Sequence, residues 1–315
     1  MSNSLGYACV NMQLAHPKKY LESNASRIFS ARTMIKKTFM DKGVSYASEI
    51  ALKNCIDLFE IIKWNKANKF NFFRVSSDMF PWSSEYELID LPDYLEIKSC
   101  LKKIGNFASE NNMRLTSHPG PFNVLTSPKE SVVLNCVKDL SIQGEVFNLM
   151  NLPQTPYSKI NIHIGGAYGD KQSAMERFCQ NFSLLPDYVK KRLTVENDDR
   201  DTLYSVKDLY RGVYKKIGIP IVFDFHHHKF CDGGMSEKDA FNMAVSTWGN
   251  IKPVVHYSES RSIEKNDDSI KAHAHSDYVY DYIDTYDTDV DIMIEAKCKE
   301  LAVLKYLEKH GKKYC

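Results

Sequence analysis

The sequence contains no run of about 18 apolar residues, so it offers no helix that would cross a membrane. It also lacks a C-x-x-C pair. Its eight cysteines (Cys9, Cys55, Cys100, Cys136, Cys179, Cys231, Cys298 and Cys315) are never closer than 17 residues apart. That spacing excludes a zinc knuckle or thioredoxin-type motif, and the density is too low for a disulfide scaffold. Reduced, mostly buried thiols in a cytoplasmic compartment are expected. Charge of either sign is not in excess: 41 Lys+Arg face 40 Asp+Glu, for a net charge of +1. A polybasic, histone-like binder is therefore excluded, although a local basic groove is not. Gly/Ser linkers and low-complexity stretches are absent, so residues 1–315 are expected to form one domain. The start, MSNSLGYACVNMQLAHPKK, has no charged n-region and reads as a strand rather than a signal peptide.

Apolar side chains are plentiful. At 43% hydrophobic residues, disorder is excluded as the dominant state. Short apolar runs recur at 5–10, 71–75, 113–117, 160–164, 193–195, 221–225, 253–257 and 291–294. Most carry Val, Ile, Phe and Leu on consecutive positions, as strands buried on both faces do. Amphipathic helical patterns at 46–63, 95–111, 131–150, 173–182, 236–248 and 300–309 lie between or after them. Strand alternating with helix over eight units predicts a parallel sheet closed into a (β/α)8 TIM barrel. An open doubly wound sheet uses the same units and is the alternative.

The first unit is oversized. Its excess, 12–45, holds Lys18, Lys19, Arg27, Arg32, Lys36, Lys37 and Lys42 against only Glu22 and Asp41. It reads either as an insertion that touches a polyanion or as an ordinary solvated face.

Eight of the ten histidines fall between 118 and 275, most of them just after a predicted strand. His118, His163 and His256 each close an apolar run or directly follow one, as do Glu196, Asp224 and Glu295, and the triplet His226, His227 and His228 follows Asp224. A lone polar residue at a strand end is ordinarily a loop cap. Recurrence on six successive strands changes that, because all strand ends of a barrel point to one rim. His275 lies in the loop after the seventh strand and can reach the same rim. Imidazoles and carboxylates without a Ser or Cys nucleophile point to metal. Eight candidates exceed what one ion uses, so two or three ions sharing a bridging carboxylate are implied, with N/O ligands suited to zinc or manganese. Paired ions suit phosphodiester hydrolysis.

Taken together, the segments GYACVN (6–11), FFRVSSDMFPW (72–82), RLTSHPG (114–120), INIHIGGAYGDK (160–171), LTVENDD (193–199), IVFDFHHH (221–228), PVVHYS (253–258), AHSDY (274–278) and DIMIEAK (291–297) resemble the UV-damage endonuclease family, relatives of the endonuclease IV barrels. The resemblance implies a three-ion site, usually manganese, with zinc, magnesium or cobalt as alternatives. It implies incision of damaged double-stranded DNA immediately 5′ of cyclobutane dimers, 6-4 photoproducts or abasic sites. The ligands it implies are His118, His163, Glu196, Asp224, His227, His256, His275 and Glu295, with Glu196 bridging and assisting catalysis. Tyr7 and Asn11 match residues near the scissile phosphate or lesion, and His226 matches the family pattern in a supporting role. Neither a small organic cofactor nor a membrane is expected, and the chain is expected to act as a monomer.

Four positions depart from the family pattern. After H-P-G, Gln and an aromatic are usual as a pair that probes the duplex; here the pair is Pro121 and Phe122. The family lysine two residues before the seventh-strand His is Val254. A customary His near 143 is Gln143, and another is Glu85, which could supply an anion near the ions in place of a modified lysine. Two alternatives stand beside the endonuclease: a lesion-binding protein whose chemistry has lapsed, and a divalent-metal sugar isomerase on the same barrel.

Overall fold

The computed structural model describes residues 3–311. Eight strands follow one another around a closed parallel barrel in chain order. They are β1 (Leu5–Ala8), β2 (Phe72–Val75), β3 (Arg114–Ser117), β4 (Ile160–Ile162), β5 (Leu193–Glu196), β6 (Ile221–Asp224), β7 (Val254–Tyr257) and β8 (Asp291–Ile294). Closure is made by β1, which pairs with β2 on one side and β8 on the other. Each expected strand is present, and β1, β4 and β6 end early. Cys9 takes φ +70° and turns the chain out of β1, while β4 stops one residue short of His163.

Strand alternation divides the core. Ala8, Phe72, Val222, Val254 and Met293 form a small apolar cluster with Trp248, on the face opposite their chain neighbours Tyr7, Phe73, Phe223, Val255 and Ile292. The second set belongs to the large core shared with the helices, so the first set points into the barrel. At the N-terminal end the lumen is closed by Arg114. Its guanidinium donates to Asp291 (2.9 Å) and to the carbonyls of Tyr157, Lys252 and Pro156. The opposite end carries the polar residues considered below.

The helices Tyr94–Glu110, Glu130–Leu149, Lys171–Phe182, Glu237–Val245 and Glu300–His310 occupy expected positions. Ser236 caps its helix by accepting the Asp239 N–H, as the sequence predicts. Three departures concern the connections. A helical stretch from Val206 to Ile217 links β5 to β6, opened by a Ser205–Asp208 capping box and ended at Gly218 with φ +75°. The β7–β8 connection holds only the short helix Arg261–Lys265 before a long loop. The enlarged first connection is half helix: Lys36–Ala67 runs through 36–45, with a break at Gly43 (φ +68°).

The rest of that connection is pinned down. Asp57 accepts the Phe29 N–H and pairs with Arg32 at 2.6 Å, while Asn54 brackets both backbone groups of Arg32. Arg32 is thus a structural residue, whereas Lys18, Lys19, Arg27, Lys36, Lys37 and Lys42 remain exposed. The seven described cysteines are free; Cys55, Cys136 and Cys231 are buried and the other four half-buried, with Cys315 outside the described residues. Among the described residues no helix is long and apolar enough to cross a membrane.

Candidate metal centre

At the C-terminal mouth the strands deliver their last inward residues to one place. His118 follows β3, His163 follows β4, Glu196 ends β5, Asp224 ends β6, His256 lies in β7 and Glu295 follows β8. Three groups form, each with ligand atoms within 4.8 Å of one another: His118–His163–Glu196, Glu196–Asp224–His227 and Asp224–His256–Glu295. Glu196 belongs to two of them and so does Asp224. The rings run in a chain, with centroids 6.0 Å apart for His256 and His118, 5.5 Å for His118 and His163, 5.4 Å for His163 and His227, and 6.1 Å for His227 and His275.

Local backbone explains how His227 arrives. Asp224 ends β6 and caps a one-turn helix, Phe225–His228, by accepting the His227 N–H at 2.8 Å. That turn swings His227 back over Glu196. Asn197 locks the arrangement, exchanging two hydrogen bonds with the Asp224 backbone (2.8 and 3.0 Å).

Three rings share a hydrogen-bond pattern. His118 Nδ1 donates to the Pro119 carbonyl (3.1 Å), His227 Nδ1 to the Asn197 carbonyl (2.9 Å) and His275 Nδ1 to the Glu295 carbonyl (2.8 Å). Each neutral ring then keeps Nε2 as a lone pair, the state a ligating imidazole needs. His163 Nδ1 faces the Asp198 carboxylate at 3.1 Å.

Two of those lone pairs face carboxylate oxygens, that of His227 lying 3.9 Å from Asp224 Oδ2. His118 Nε2 lies 3.1 Å from Glu196 Oε2, and His256 Nδ1 lies 3.1 Å from both Glu196 Oε2 and Glu295 Oε1. Asp224 Oδ2 is buried without a hydrogen-bond partner. Lone pairs converging in a buried space call for a proton or a cation between them. In the ion-free fold a proton on His163 meets part of that demand. Burial opposes a charge on His163, yet Glu196 and Asp198 raise it to about 10. Burial pushes Asp224 up to about 6 and His256 down to about 4. Glu196 is held well below the usual carboxylate range, burial being outweighed by His256 and His163. The donor set of imidazole and carboxylate fits divalent ions.

The remaining expected residues divide. His275 stands beside the cluster, outside the three groups. His226 is buried, its ring edge-on to Phe230 and near His275, and neither ring nitrogen is hydrogen-bonded. Pro121 and Phe122 sit on the loop after β3, and Phe122 is 88% exposed beside a cleft of about 470 Å³ shared with Ser77, Asp78 and Asp139. Tyr7 and Asn11 hydrogen-bond to one another, outside the three groups. Tyr7 points away from the lumen, on the side opposite Ala8, and is fully buried beneath the Lys36–Ala67 helix. Its hydroxyl donates to Asn65 and accepts from Asn11, whose own oxygen caps the helix Met12–Ala15. Strand alternation sends residue 7 outward, and both side chains brace the first connection. Glu85 is exposed on a short turn and contacts Ser84.

Several site residues escaped the sequence reading. Arg74 reaches in from β2 and pairs with Glu295. Asn161 donates to Glu196 and is itself oriented by Thr194 (2.7 Å). Lys159 lies 3.2 Å from His256 Nε2, and burial pushes its amine down to about 7. An amine therefore approaches His256 from the start of β4 although residue 254 is Val. The signal was available: Asn161 and Thr194 precede His163 and Glu196 by two positions, hence on the same strand face.

A closed (β/α)8 barrel whose mouth gathers imidazoles and carboxylates around shared acids defines a barrel with a candidate polynuclear metal centre. Comparison with known proteins places it more narrowly. The chain belongs to the UV-endonuclease UvdE family, whose model matches residues 3–313. A UV-damage endonuclease of Schizosaccharomyces pombe is 34% identical over 97% of this chain, and the chain spans 50% of that protein's length. A UV DNA damage endonuclease of Clostridium perfringens is 32% identical over 96% of the chain and 69% of its own length. The crystal structure of SacUVDE superposes with a TM-score of 0.82 at 28% identity, covering 98% of this chain and 99% of that one.

Proposed function

We propose that this chain is a UV DNA damage endonuclease that hydrolyses the phosphodiester immediately 5′ of UV photoproducts, and of abasic sites, with three divalent ions, manganese being the physiological one. The carrying observation is the set of imidazoles that spend one N–H on a backbone carbonyl and turn a free nitrogen toward Glu196 and its neighbours. Nitrogen lone pairs facing carboxylate oxygens in a buried space are relieved by a cation held between them. The family membership supports the substrate, and the three overlapping groups support the ion number.

His118, His163 and Glu196 would hold one ion and Asp224, His256 and Glu295 another. His227 and His275 would complete a third site together with the shared acids. When bound, such ions lower the pKa of water and neutralise charge developing on phosphate oxygens. The protein's own part is positional. Exposed lysines of the first connection attract the backbone without reading sequence. A photoproduct weakens stacking, so extruding it costs less than extruding sound bases. Phe122, exposed on the rim, would fill the gap as an apolar wedge. Pro121 lacks the amide that the family pattern places there, so lesion preference would rest on shape and stacking. Asn161 and Asn197 keep Glu196 and Asp224 oriented as the duplex docks.

Incision of UV-irradiated supercoiled plasmid, compared with untreated plasmid, tests the reading with manganese present and then with chelator. Nicking restricted to irradiated DNA and abolished by chelator is expected. Binding without incision at every metal concentration would return the lapsed-enzyme alternative.

A further inference from the structure

Phe122 is not the only large aromatic left in solvent at the mouth. Tyr168, five residues after His163, is 53% exposed. Its backbone has φ +51°, a region that costs an aromatic residue and suits glycine or asparagine. Two other aromatic residues at positive φ have visible structural reasons. Trp82 donates to the Met34 carbonyl and stacks on Phe39, and Tyr286 donates to Glu237 and packs on Phe241. The Tyr168 hydroxyl makes no hydrogen bond among the described residues, and its ring lies over Gly166 with the Arg177 guanidinium 5.7 Å from its centre. Neither burial nor hydrogen bonding accounts for a tyrosine held out in this conformation.

Its loop is braced to the loop that carries Phe122. Gly165 has φ +108°, and a Cβ there would meet Val124 at 2.5 Å and Thr126 at 2.7 Å, so the two loops touch where only glycine fits. Arg177 Nε donates to the Thr126 carbonyl (2.9 Å) and Asn181 to the Leu125 carbonyl (2.8 Å), tying the Phe122 loop to the helix that follows Tyr168. Both aromatic side chains therefore ride on one cross-linked support next to His118 and His163.

We propose that Tyr168 is a second stacking contact for damaged duplex, taking an unstacked base or the sugar face beside it while Phe122 holds the kink, and so is a residue that sets lesion affinity. The inference rests on the endonuclease reading. Backbone strain at an exposed aromatic is tolerated where the side chain meets a ligand, and nucleobases offer a π-face to stack on whatever their sequence.

The test measures binding of ion-free wild type, Tyr168→Phe, Tyr168→Ala and Tyr168→Gly to fluorescent irradiated and untreated duplexes by anisotropy. Thermal melts and single-turnover incision at saturating enzyme with manganese accompany it. Alanine and glycine variants should bind irradiated duplex about tenfold or more weakly, as loss of one stacked base does. Their saturated incision rate should stay within about threefold, because stacking affects binding rather than the bond-breaking step. Phenylalanine should behave as wild type. The glycine variant should melt no lower than wild type, since it relieves the positive φ, which separates a contact role from a structural one. Wild-type affinity in the alanine variant, or a lower melting temperature in the glycine variant matching its loss of binding, would overturn the proposal. Should wild type itself fail to prefer irradiated duplex, the endonuclease reading fails, and this inference with it.

Discussion

Glu196→Gln is the sharpest perturbation available, because it changes charge and hardly changes shape. Glu196 is 1% exposed, and its Oε2 meets His118 and His256 at 3.1 Å while its Oε1 lies 3.4 Å from His227 Nδ1. A glutamine finds no good orientation there. Asn161 must keep its NH2 toward residue 196, because Thr194 donates to its oxygen, and His227 Nδ1 bears a proton given to Asn197. One end of the amide then sets donor against donor. The larger effect is electrostatic. A unit charge about 4 Å from a cation is worth ~4 kcal/mol at an effective dielectric constant near 20. Since ~1.4 kcal/mol is a factor of ten, affinity at a site losing this carboxylate should fall about a thousandfold. Manganese at 100 times the wild-type Kd should stabilise wild type by ~2.7 kcal/mol and the variant by less than about 0.1 kcal/mol. Paired thermal melts with manganese and with chelator read that difference, elemental analysis after dialysis reads the ion count, and plasmid nicking reads activity. A variant that keeps its manganese-dependent melting shift and nicks irradiated plasmid normally would refute the argument from shared carboxylates.

Four further outcomes are expected. His163 is raised from 6.5 to about 10 in the ion-free fold, so its contribution to stability is complete below pH 6.5 and is lost as pH rises through about 10. Melting of chelated protein across that window should show the loss. Asp198→Asn should shift His163 back down, visible by NMR titration, and weaken ion binding by about 10–100-fold. Arg114→Met removes the cation from a buried pair with Asp291 and should cost ~3 kcal/mol by denaturant unfolding, at the lower end of such losses because Lys252 still reaches Asp291 at 3.0 Å. A cost below about 0.5 kcal/mol would mean the lumen closure is not held by this pair. Phe122→Ala should leave stability within about 0.5 kcal/mol, since the side chain is exposed, while lowering the ratio of nicking on irradiated to untreated plasmid. An unchanged ratio would remove the wedge.

Much of the barrel could be read without coordinates because a strand buried on both faces needs consecutive apolar residues, and stretches such as IVFD and DIMI have few other uses. What escaped was set by side-chain direction and by loops. The helix from Val206 to Ile217 was signalled by S-V-K-D and by Gly218, but its apolar spacing is disturbed by the π-turn at Tyr210–Tyr214. The direction of Tyr7 could not be read because closeness to a strand end does not say which side of the barrel a residue faces. The exposure of Glu85 could not be read because a position after β2 can lie on a solvated turn.

The sequence by itself determined that eight apolar strands exist, that polar residues recur at their ends, and that the charge is balanced with a basic first connection. Those are properties of local pattern, and parallel closure then obliges all strand ends to share a rim. Only the tertiary structure decided which residues enter the lumen together, that Arg74 and Lys159 join the acids there, and that Arg32 is an internal brace. The reason is physical: a hydrogen bond, an ion pair or a shared ligand space depends on distances of a few ångströms between segments far apart in the chain, and no local propensity fixes those distances.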